Sequence, residues 1–223
     1  MTWVKLCAMT NADDARAAVR AGADAVGLIF APSTRRIDVA TAAAITAELP
    51  PHIEKVGVFS NERADVIRNV AQRAGLTAVQ LHGDEDAQFA RELFTKRTNA
   101  QPQTLKIIKT VHVVDGMESV VREFAEGSGV DTVLLDSVTS KTRGGTGTTF
   151  DWQQVAELLA GVSVHVRVIV AGGLRPENVS AAISILRPWG VDVASGVERE
   201  PGKKDFEKMN AFVDAVRQAE KRS

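Results

Sequence analysis

The chain has 223 residues, of which 44% are hydrophobic and 25% are charged, and 27 Lys and Arg nearly balance 28 Asp and Glu for a net charge of −1. This composition excludes a disordered chain and disfavours a nucleic-acid partner, because binding to phosphate backbones needs clustered positive charge. The single cysteine, Cys7, excludes an internal disulfide, and no apolar segment reaches the ~18 residues of a membrane span, so we expect a cytoplasmic protein without a membrane partner.

Eight short aliphatic or β-branched segments are predicted to be strands: residues 4–8, 25–30, 55–59, 78–81, 105–110, 132–136, 166–171 and 191–194. Helical patterns separate most of them. Ala12–Ala21 is expected to begin behind Thr10, with Asp13 as its partner in a variant of the capping box. Residues 64–74 are expected to form a helix that ends before Gly75. Regular alternation of strands and helices indicates a parallel sheet with helical crossovers.

A short phrase, a glycine followed within three residues by an aliphatic run, occurs at Gly22, Gly75, Gly129 and Gly190. Each glycine is expected to be the left-handed residue that closes a helix just before a strand. The phrases are 53, 54 and 61 residues apart, which suits two strand–helix units, so four phrases predict eight units. We therefore predict an α/β protein built as one (β/α)8 TIM barrel domain over residues 1–223. An open, doubly wound sheet is the alternative.

Candidate functional residues follow from this architecture, because a barrel carries its active site at the carboxyl ends of its strands. The residues expected there are Cys7, Arg35, Arg36, His82 and Asp136. A thiol and a carboxyl group on opposite sides of one pocket suit an isomerisation of the aldose–ketose type. In such a reaction one group takes a proton from carbon and the other gives a proton to a leaving oxygen.

Glycines after the last two strands predict a phosphate site. Gly172 and Gly173 follow the seventh strand, and Ser195 and Gly196 follow the eighth. Barrels bind phosphate with backbone amides in this position. Residues 137–149 form a polar, glycine-rich loop that is expected to close over the barrel mouth.

Four further aspartates are assigned structural roles. Asp151 is expected to cap the helix that follows the polar loop. Asp24, Asp131 and Asp192 are expected to open their strands and to stabilise helix-to-strand junctions. These four residues are therefore not counted among the site candidates.

Nine phrases of the sequence also occur, in the same order, in one known family. They are KLC at 5–7, GADA at 22–25, FAPSTR at 30–35, VGVF at 56–59, VQLHG at 79–83, LLDS at 134–137, GGTG at 144–147 with FDW at 150–152, AGGL at 171–174 with PEN at 176–178, and DVASGVE at 192–198 with PGKKD at 201–205. On these phrases the chain resembles phosphoribosylanthranilate isomerases from residue 4 to about residue 213.

The resemblance implies an Amadori rearrangement of N-(5-phosphoribosyl)anthranilate to 1-(2-carboxyphenylamino)-1-deoxyribulose 5-phosphate, in tryptophan biosynthesis, without a metal or an organic cofactor. It implies that Cys7 is the general base and Asp136 the general acid, and that Arg35 binds the anthranilate carboxylate. It leaves Arg36 as a weaker candidate for that contact. The implied partner is therefore a small phosphosugar substrate, and we expect a monomer.

The remaining substrate contacts implied by the resemblance are His82 and the phosphate-binding backbone around Gly172, Gly173, Ser195 and Gly196. Three residues depart from the family pattern: Ala8, Arg175 and Ala194. They put substrate fit and rate in question more than the type of reaction. Three alternatives stay open: the related isomerase of histidine biosynthesis, an enzyme that accepts both substrates, and a phosphosugar-binding module that has lost catalysis.

Overall fold

The computed structural model describes residues 1–95, 105–126, 130, 132–137, 151–160 and 166–221. Eight parallel strands form a closed barrel in chain order. They are β1 (Trp3–Leu6), β2 (Ala25–Ile29), β3 (Glu54–Phe59), β4 (Ala78–Leu81), β5 (Lys106–Val113), β6 (Thr132–Ser137), β7 (Arg167–Val170) and β8 (Gly190–Val193). The barrel closes where β1 pairs with β8, with Val4 opposite Val191. This pairing confirms the (β/α)8 prediction and excludes the open sheet.

Helices follow the strands on the outside of the barrel. They are α1 (Ala12–Ala21), α2 (Val39–Ala47), α3 (Ala64–Arg73), α4 (Ala87–Thr95), α5 (Met117–Ala125), α6 (Trp152–Ala160), α7 (Val179–Leu186) and α8 (Phe206–Glu220). A 3₁₀ turn, Ser195–Val197, and a small hairpin of β9 (Glu198–Glu200) and β10 (Lys203–Lys204) separate β8 from α8. Within the described ranges, no helix has the length and apolar composition needed to cross a bilayer.

Two layers of side chains fill the barrel interior, because side chains two residues apart on a strand face the same side. The lower layer is apolar and consists of Ala25, Val56, Ala78, Ile108, Leu134 and Ile169, with Trp3 packed against it. Two residues further along their strands lie the polar side chains of Lys5, Gln80, Thr110, Asp136 and Asp192. The barrel therefore has an apolar floor and a polar layer directly below its carboxyl-terminal mouth.

The start of α1 differs from its prediction. Asn11, not Thr10, caps this helix, and its side chain accepts a 2.8 Å hydrogen bond from the Asp14 amide. Asn11 has the extended backbone that a capping residue needs, with φ −151°. The Thr10 hydroxyl instead donates to the Gly202 carbonyl, at 2.6 Å. Thr10 therefore ties the β1–α1 loop to the hairpin after β8.

The repeated glycines divide into two kinds. Gly22 closes α1 with φ +95°, and Gly75 follows α3 with φ +61°, both in the left-handed region as predicted. The prediction for Gly190 is wrong, because this residue is the first of β8 and α7 ends instead at Arg187, with φ +44°. Position 190 favours glycine because of packing, since a Cβ there would lie only 3.0 Å from the Trp3 ring. Gly129 lies outside the described residues.

Candidate active site

A cavity of about 160 Å³ opens at the carboxyl ends of the strands. We call it the central cavity. It is lined by Cys7, Ile29, Ala31, Pro32, Ser33, Arg35, Val58, Gln80, His82, Asp136, Asp192 and Ala194. The structure thus brings together four of the predicted site residues, Cys7, Arg35, His82 and Asp136, from four different strands or the loops that follow them.

Cys7 follows β1 directly, and its amide donates a 2.8 Å hydrogen bond to the Val193 carbonyl of β8. The residue is 6% exposed. Burial raises the pKa of the Cys7 thiol, and the nearby ammonium of Lys5 acts in the opposite direction. The thiol is therefore neutral at rest, with a buried positive charge close by that favours its ionised form.

Ala8, next in the chain, is one of the three residues that depart from the family pattern. It is fully buried and has φ +66°, in the left-handed region that glycine adopts without strain. An alanine in this conformation costs of order 1 kcal/mol. Ala8 is not one of the residues that line the central cavity, so its methyl group does not crowd that space.

Asp136 lies near the end of β6 and is 8% exposed. Burial, followed by the negative charge of Asp192, raises the pKa of Asp136 to about 7. A hydrogen bond from the Ser137 backbone acts in the opposite direction. Because its pKa lies near neutrality, this carboxyl group can both hold and release a proton at physiological pH.

His82 follows β4, and its orientation is set by a chain of hydrogen bonds. Lys5 Nζ donates to Gln80 Oε1 at 2.8 Å, which leaves the Gln80 amide nitrogen, a donor only, 3.1 Å from His82 Nδ1. His82 Nδ1 is therefore the acceptor in this contact, and in the neutral ring the proton resides on Nε2. His82 Nε2 lies 3.6 Å from Asp136 Oδ2, so the ring presents a donor beside the carboxyl group.

The structure corrects the sequence prediction for Asp192. It was expected to stabilise the junction before its strand, but it is the third residue of β8 and lines the central cavity. Its carboxylate lies 3.0 Å from Lys5 Nζ in a buried ion pair. Asp24 does have the predicted junction role, accepting a 2.8 Å hydrogen bond from the Val4 amide. Asp131 lies outside the described residues.

Arg35 lies in the loop after β2, and its guanidinium pairs with the buried carboxylate of Glu198. Nε lies 2.9 and 3.0 Å from the two carboxylate oxygens, and Nη2 lies 2.6 Å from Oε2. Arg36 faces elsewhere: it lines a separate cavity of about 210 Å³ with Phe30 and Asp38, between the β2–α2 and β3–α3 loops. Of the two arginines, only Arg35 reaches the central cavity.

The two predicted phosphate segments are packed tightly against their neighbours. Gly172 and Gly173 have φ +80° and +65°, and a Cβ on Gly172 would overlap Ser137 at the end of β6. A Cβ on Gly196 would overlap the Leu174 carbonyl, so the 3₁₀ turn after β8 rests directly on the loop after β7. Ser195 and Gly196 follow Ala194, which lines the central cavity.

Two further predictions concern the segment after β6. Asp151 caps α6 as expected, accepting hydrogen bonds of 3.0 and 3.2 Å from the amides of Gln153 and Gln154. Apart from Ser137, the polar loop 137–149 lies outside the described residues. In the part of the chain that is described, no group of three or more His, Cys, Asp or Glu side chains could hold a metal ion.

The family model for N-(5'-phosphoribosyl)anthranilate (PRA) isomerase matches residues 4–215. The N-(5'-phosphoribosyl)anthranilate isomerase of Chlorobaculum tepidum is 40% identical over 223 residues, 99% of this chain and 97% of that protein. The crystal structure of phosphoribosyl anthranilate isomerase from Thermotoga maritima has a TM-score of 0.85 and 37% identity, covering 98% of this chain and 100% of its own. A structure of such an isomerase with reduced 1-(o-carboxyphenylamino)-1-deoxyribulose 5-phosphate has a TM-score of 0.82, 36% identity and the same coverage.

Proposed function

The chain belongs to the N-(5'-phosphoribosyl)anthranilate isomerase family of tryptophan biosynthesis, and we propose that it catalyses the family's reaction with Cys7 as general base and Asp136 as general acid. Asp136 protonates the furanose ring oxygen, and the ring opens to an imine. Cys7 then removes the proton from C2, and the resulting enolamine rearranges to the ketose. All atoms stay within one molecule, so the two protein groups need only exchange protons with it.

The observation that carries this proposal is that Cys7 and Asp136 line one cavity of about 160 Å³. A small molecule in this cavity can contact a thiol and a carboxyl group at once. A pKa of about 7 suits Asp136 to the acid role, because a sizeable fraction stays protonated at neutral pH. The thiol supplies the base when its proton is lost, and the buried ammonium of Lys5 stabilises the thiolate.

Further groups suit the two anionic ends of the substrate. Arg35 would bind the anthranilate carboxylate, since a guanidinium offers several donors in one plane. The backbone of Gly172, Gly173, Ser195 and Gly196 would hold the ribose 5-phosphate beyond Ala194. The crystallised relative that carries the reduced product supports a ligand with both a carboxylate and a phosphate. His82, which presents Nε2 beside Asp136, would bind a ribose hydroxyl.

A direct test measures turnover of N-(5'-phosphoribosyl)anthranilate by its fluorescence decay, beside turnover of the aminoimidazole ribotide of histidine biosynthesis. We expect turnover of the anthranilate compound alone. Comparable rates on both would indicate a dual-substrate enzyme, and the absence of turnover on either would leave only a phosphosugar-binding role.

Alkylation tests the assignment of the base, because Cys7 is the one cysteine of the chain. One equivalent of iodoacetamide incorporated per chain is expected to abolish turnover, and saturating product is expected to slow the labelling. The labelling rate should rise with pH to above pH 9, because burial raises the pKa of the thiol. A fully labelled protein with unchanged turnover would rule out the thiol as base.

Gly27→Ala provides a test that alters neither reacting group chemically. A Cβ at Gly27 of β2 would overlap the Cys7 sulfur and lie 3.0 Å from the Cys7 Cα. We expect kcat to fall about 10- to 100-fold, because the thiol must move from its position relative to the substrate. Gly116→Ala is the control, since it faces open space and carries only the strain of φ +83°. Equal kcat values for the two variants would contradict a fixed thiol position.

A further inference from the structure

Three charged side chains contact one another at the edge of the central cavity, and we call them the charged cluster: Arg35, Glu198 and Lys204. Their side chains are 15%, 4% and 0% exposed, respectively. Charged groups are seldom buried to this degree unless each has a partner. In this cluster Glu198 is the shared partner, because it contacts both of the cations.

The contact between Glu198 and Arg35 fixes the orientation of the Arg35 guanidinium. Nε and Nη2 of Arg35 both bind the Glu198 carboxylate in a two-pronged pairing, which orients the guanidinium plane. Arg35 lines the central cavity and Glu198 does not, so the carboxylate holds the guanidinium from behind. Nη1 makes no hydrogen bond to the described residues and is available to a ligand. A free arginine side chain would lose rotamer freedom on binding, and this pairing removes that freedom beforehand.

The contact with Lys204 connects the cluster to the end of β8, which β1 separates from β2 in the barrel. Lys204 Nζ donates to Glu198 Oε1 at 3.2 Å and to the Ala194 carbonyl at 2.9 Å. Ala194 follows β8 and lines the central cavity. The cluster therefore joins the β2–α2 loop to the end of β8. Its formal charge is +1, because two cations share one carboxylate, and this surplus favours an anionic ligand.

From these contacts we propose that Glu198, supported by Lys204, is a positioning residue that orients Arg35 so that the enzyme selects ribotides whose aglycone carries a carboxylate. The inference rests on the proposed role of Arg35 as the carboxylate contact. Glu198 itself touches no substrate: it acts by presenting the remaining guanidinium edge to the cavity.

The first test compares Glu198→Gln with Glu200→Gln. Glu200 is the matched control, because it lies on the same strand, β9, and forms an exposed ion pair with Lys203. For Glu198→Gln we expect KM for N-(5'-phosphoribosyl)anthranilate to rise about 10-fold and kcat to stay within about twofold. For Glu200→Gln both constants should be unchanged. A fall in kcat with unchanged KM for Glu198→Gln would overturn the inference.

A second test uses N-(5'-phosphoribosyl)aniline, which lacks the carboxylate. The preference for the anthranilate compound, as a ratio of kcat/KM values, should fall about 10-fold in Glu198→Gln. In a double-mutant cycle, Arg35→Ala with Glu198→Gln should be no worse than Arg35→Ala alone, because Glu198 acts through Arg35. Additive losses in this cycle, or an unchanged preference, would overturn the positioning role.

Arg35→Ala separates the inference from the proposed function. If it raises KM for the anthranilate compound and Glu198→Gln does not, Arg35 stays the carboxylate contact and the positioning role of Glu198 is wrong. If Arg35→Ala leaves KM unchanged, the carboxylate contact itself is wrong and the inference falls with it. Thermal unfolding of each variant checks that the binding change is not a loss of folded protein.

Discussion

Asp136→Asn is expected to lower kcat about 10²- to 10⁴-fold and to change KM little. Asparagine keeps the shape of the side chain but cannot give a proton to the ring oxygen. Fluorescence decay of N-(5'-phosphoribosyl)anthranilate measures the loss. Asp115→Asn is the matched control, because this substitution makes the same chemical change at an exposed position after β5. A kcat within about tenfold of the unchanged protein would exclude Asp136 as the general acid.

The pH profile of the unchanged enzyme tests the same assignment from another side. The acid must be protonated and the base ionised, yet the pKa of Asp136 is about 7 and that of Cys7 is above its ordinary value of 9.0. The active form is therefore a minor ionisation state, in which Asp136 holds its proton and Cys7 is a thiolate. We expect kcat/KM to be bell-shaped, with limbs near pH 7 and above pH 9, and Asp136→Asn to lose the limb near pH 7.

Asp136→Asn should raise the stability of the protein above neutral pH, although it lowers activity. The pKa of Asp136 is raised from 3.8 to about 7, so the folded state binds its proton more tightly than the unfolded state. Its contribution to stability is fully present below about pH 4 and is lost as the pH rises through 7. Asp136→Asn removes this loss and should be more stable than the unchanged protein by up to a few kcal/mol at pH 8. Urea unfolding at pH 4 and pH 8 measures the difference, which should be small at pH 4.

The positions of Cys7, His82 and Asp136 could be predicted from the sequence because barrel topology determines them. Strands in a closed parallel barrel all point the same way, so residues at their carboxyl ends meet at one face whatever their separation in the chain. The strands themselves carry strong local signals, and each predicted strand overlaps an observed one. The least accurate boundary is that of β5, which runs on to Val113, past the predicted end at residue 110.

Asp192 could not be placed in the same way, and the reason lies in where a strand begins. Asp24 and Asp192 each stand two residues after a glycine, in phrases that look alike. Asp24 precedes its strand, whereas β8 starts at Gly190 itself, opposite Trp3 of β1. Because side chains on a strand alternate with a period of two, this start turns Asp192 into the barrel. Pairing between the two ends of the chain sets the start, and the local sequence does not contain it.

The charged cluster could not be predicted from the sequence for a related reason. Arg35 and Glu198 are 163 residues apart, and each is an ordinary charged residue in a loop or short strand. Only the closed barrel brings the β2–α2 loop against β9. Burial then makes the pairing necessary, since a lone carboxylate at this depth would cost several kcal/mol.

Lys5→Met is expected to have the largest effect on stability, lowering the free energy of unfolding by about 3–5 kcal/mol. Lys5 is fully buried, and its ammonium donates to Gln80 at 2.8 Å and to Asp192 at 3.0 Å. Methionine fills a similar volume but leaves the Asp192 carboxylate buried without its cation. Urea unfolding at pH 7 measures the loss. A change below about 1 kcal/mol would show that the ion pair contributes little.

Combining Lys5→Met with Asp192→Asn distinguishes an uncompensated charge from poor packing. If the loss comes from the unpaired carboxylate, the double variant should recover most of the stability, because no buried charge is left alone. If packing is the cause, the double variant should be at least as unstable as Lys5→Met.

The same two variants should move the acid limb of the pH profile in opposite directions. Lys5 lowers the pKa of Asp136 and Asp192 raises it by more, so the limb near pH 7 should rise in Lys5→Met. In the double variant both influences are gone, and the limb should fall below that of the unchanged enzyme. Identical limbs in all three proteins would mean that the ion pair at the base of the cavity holds the fold together without tuning the acid above it.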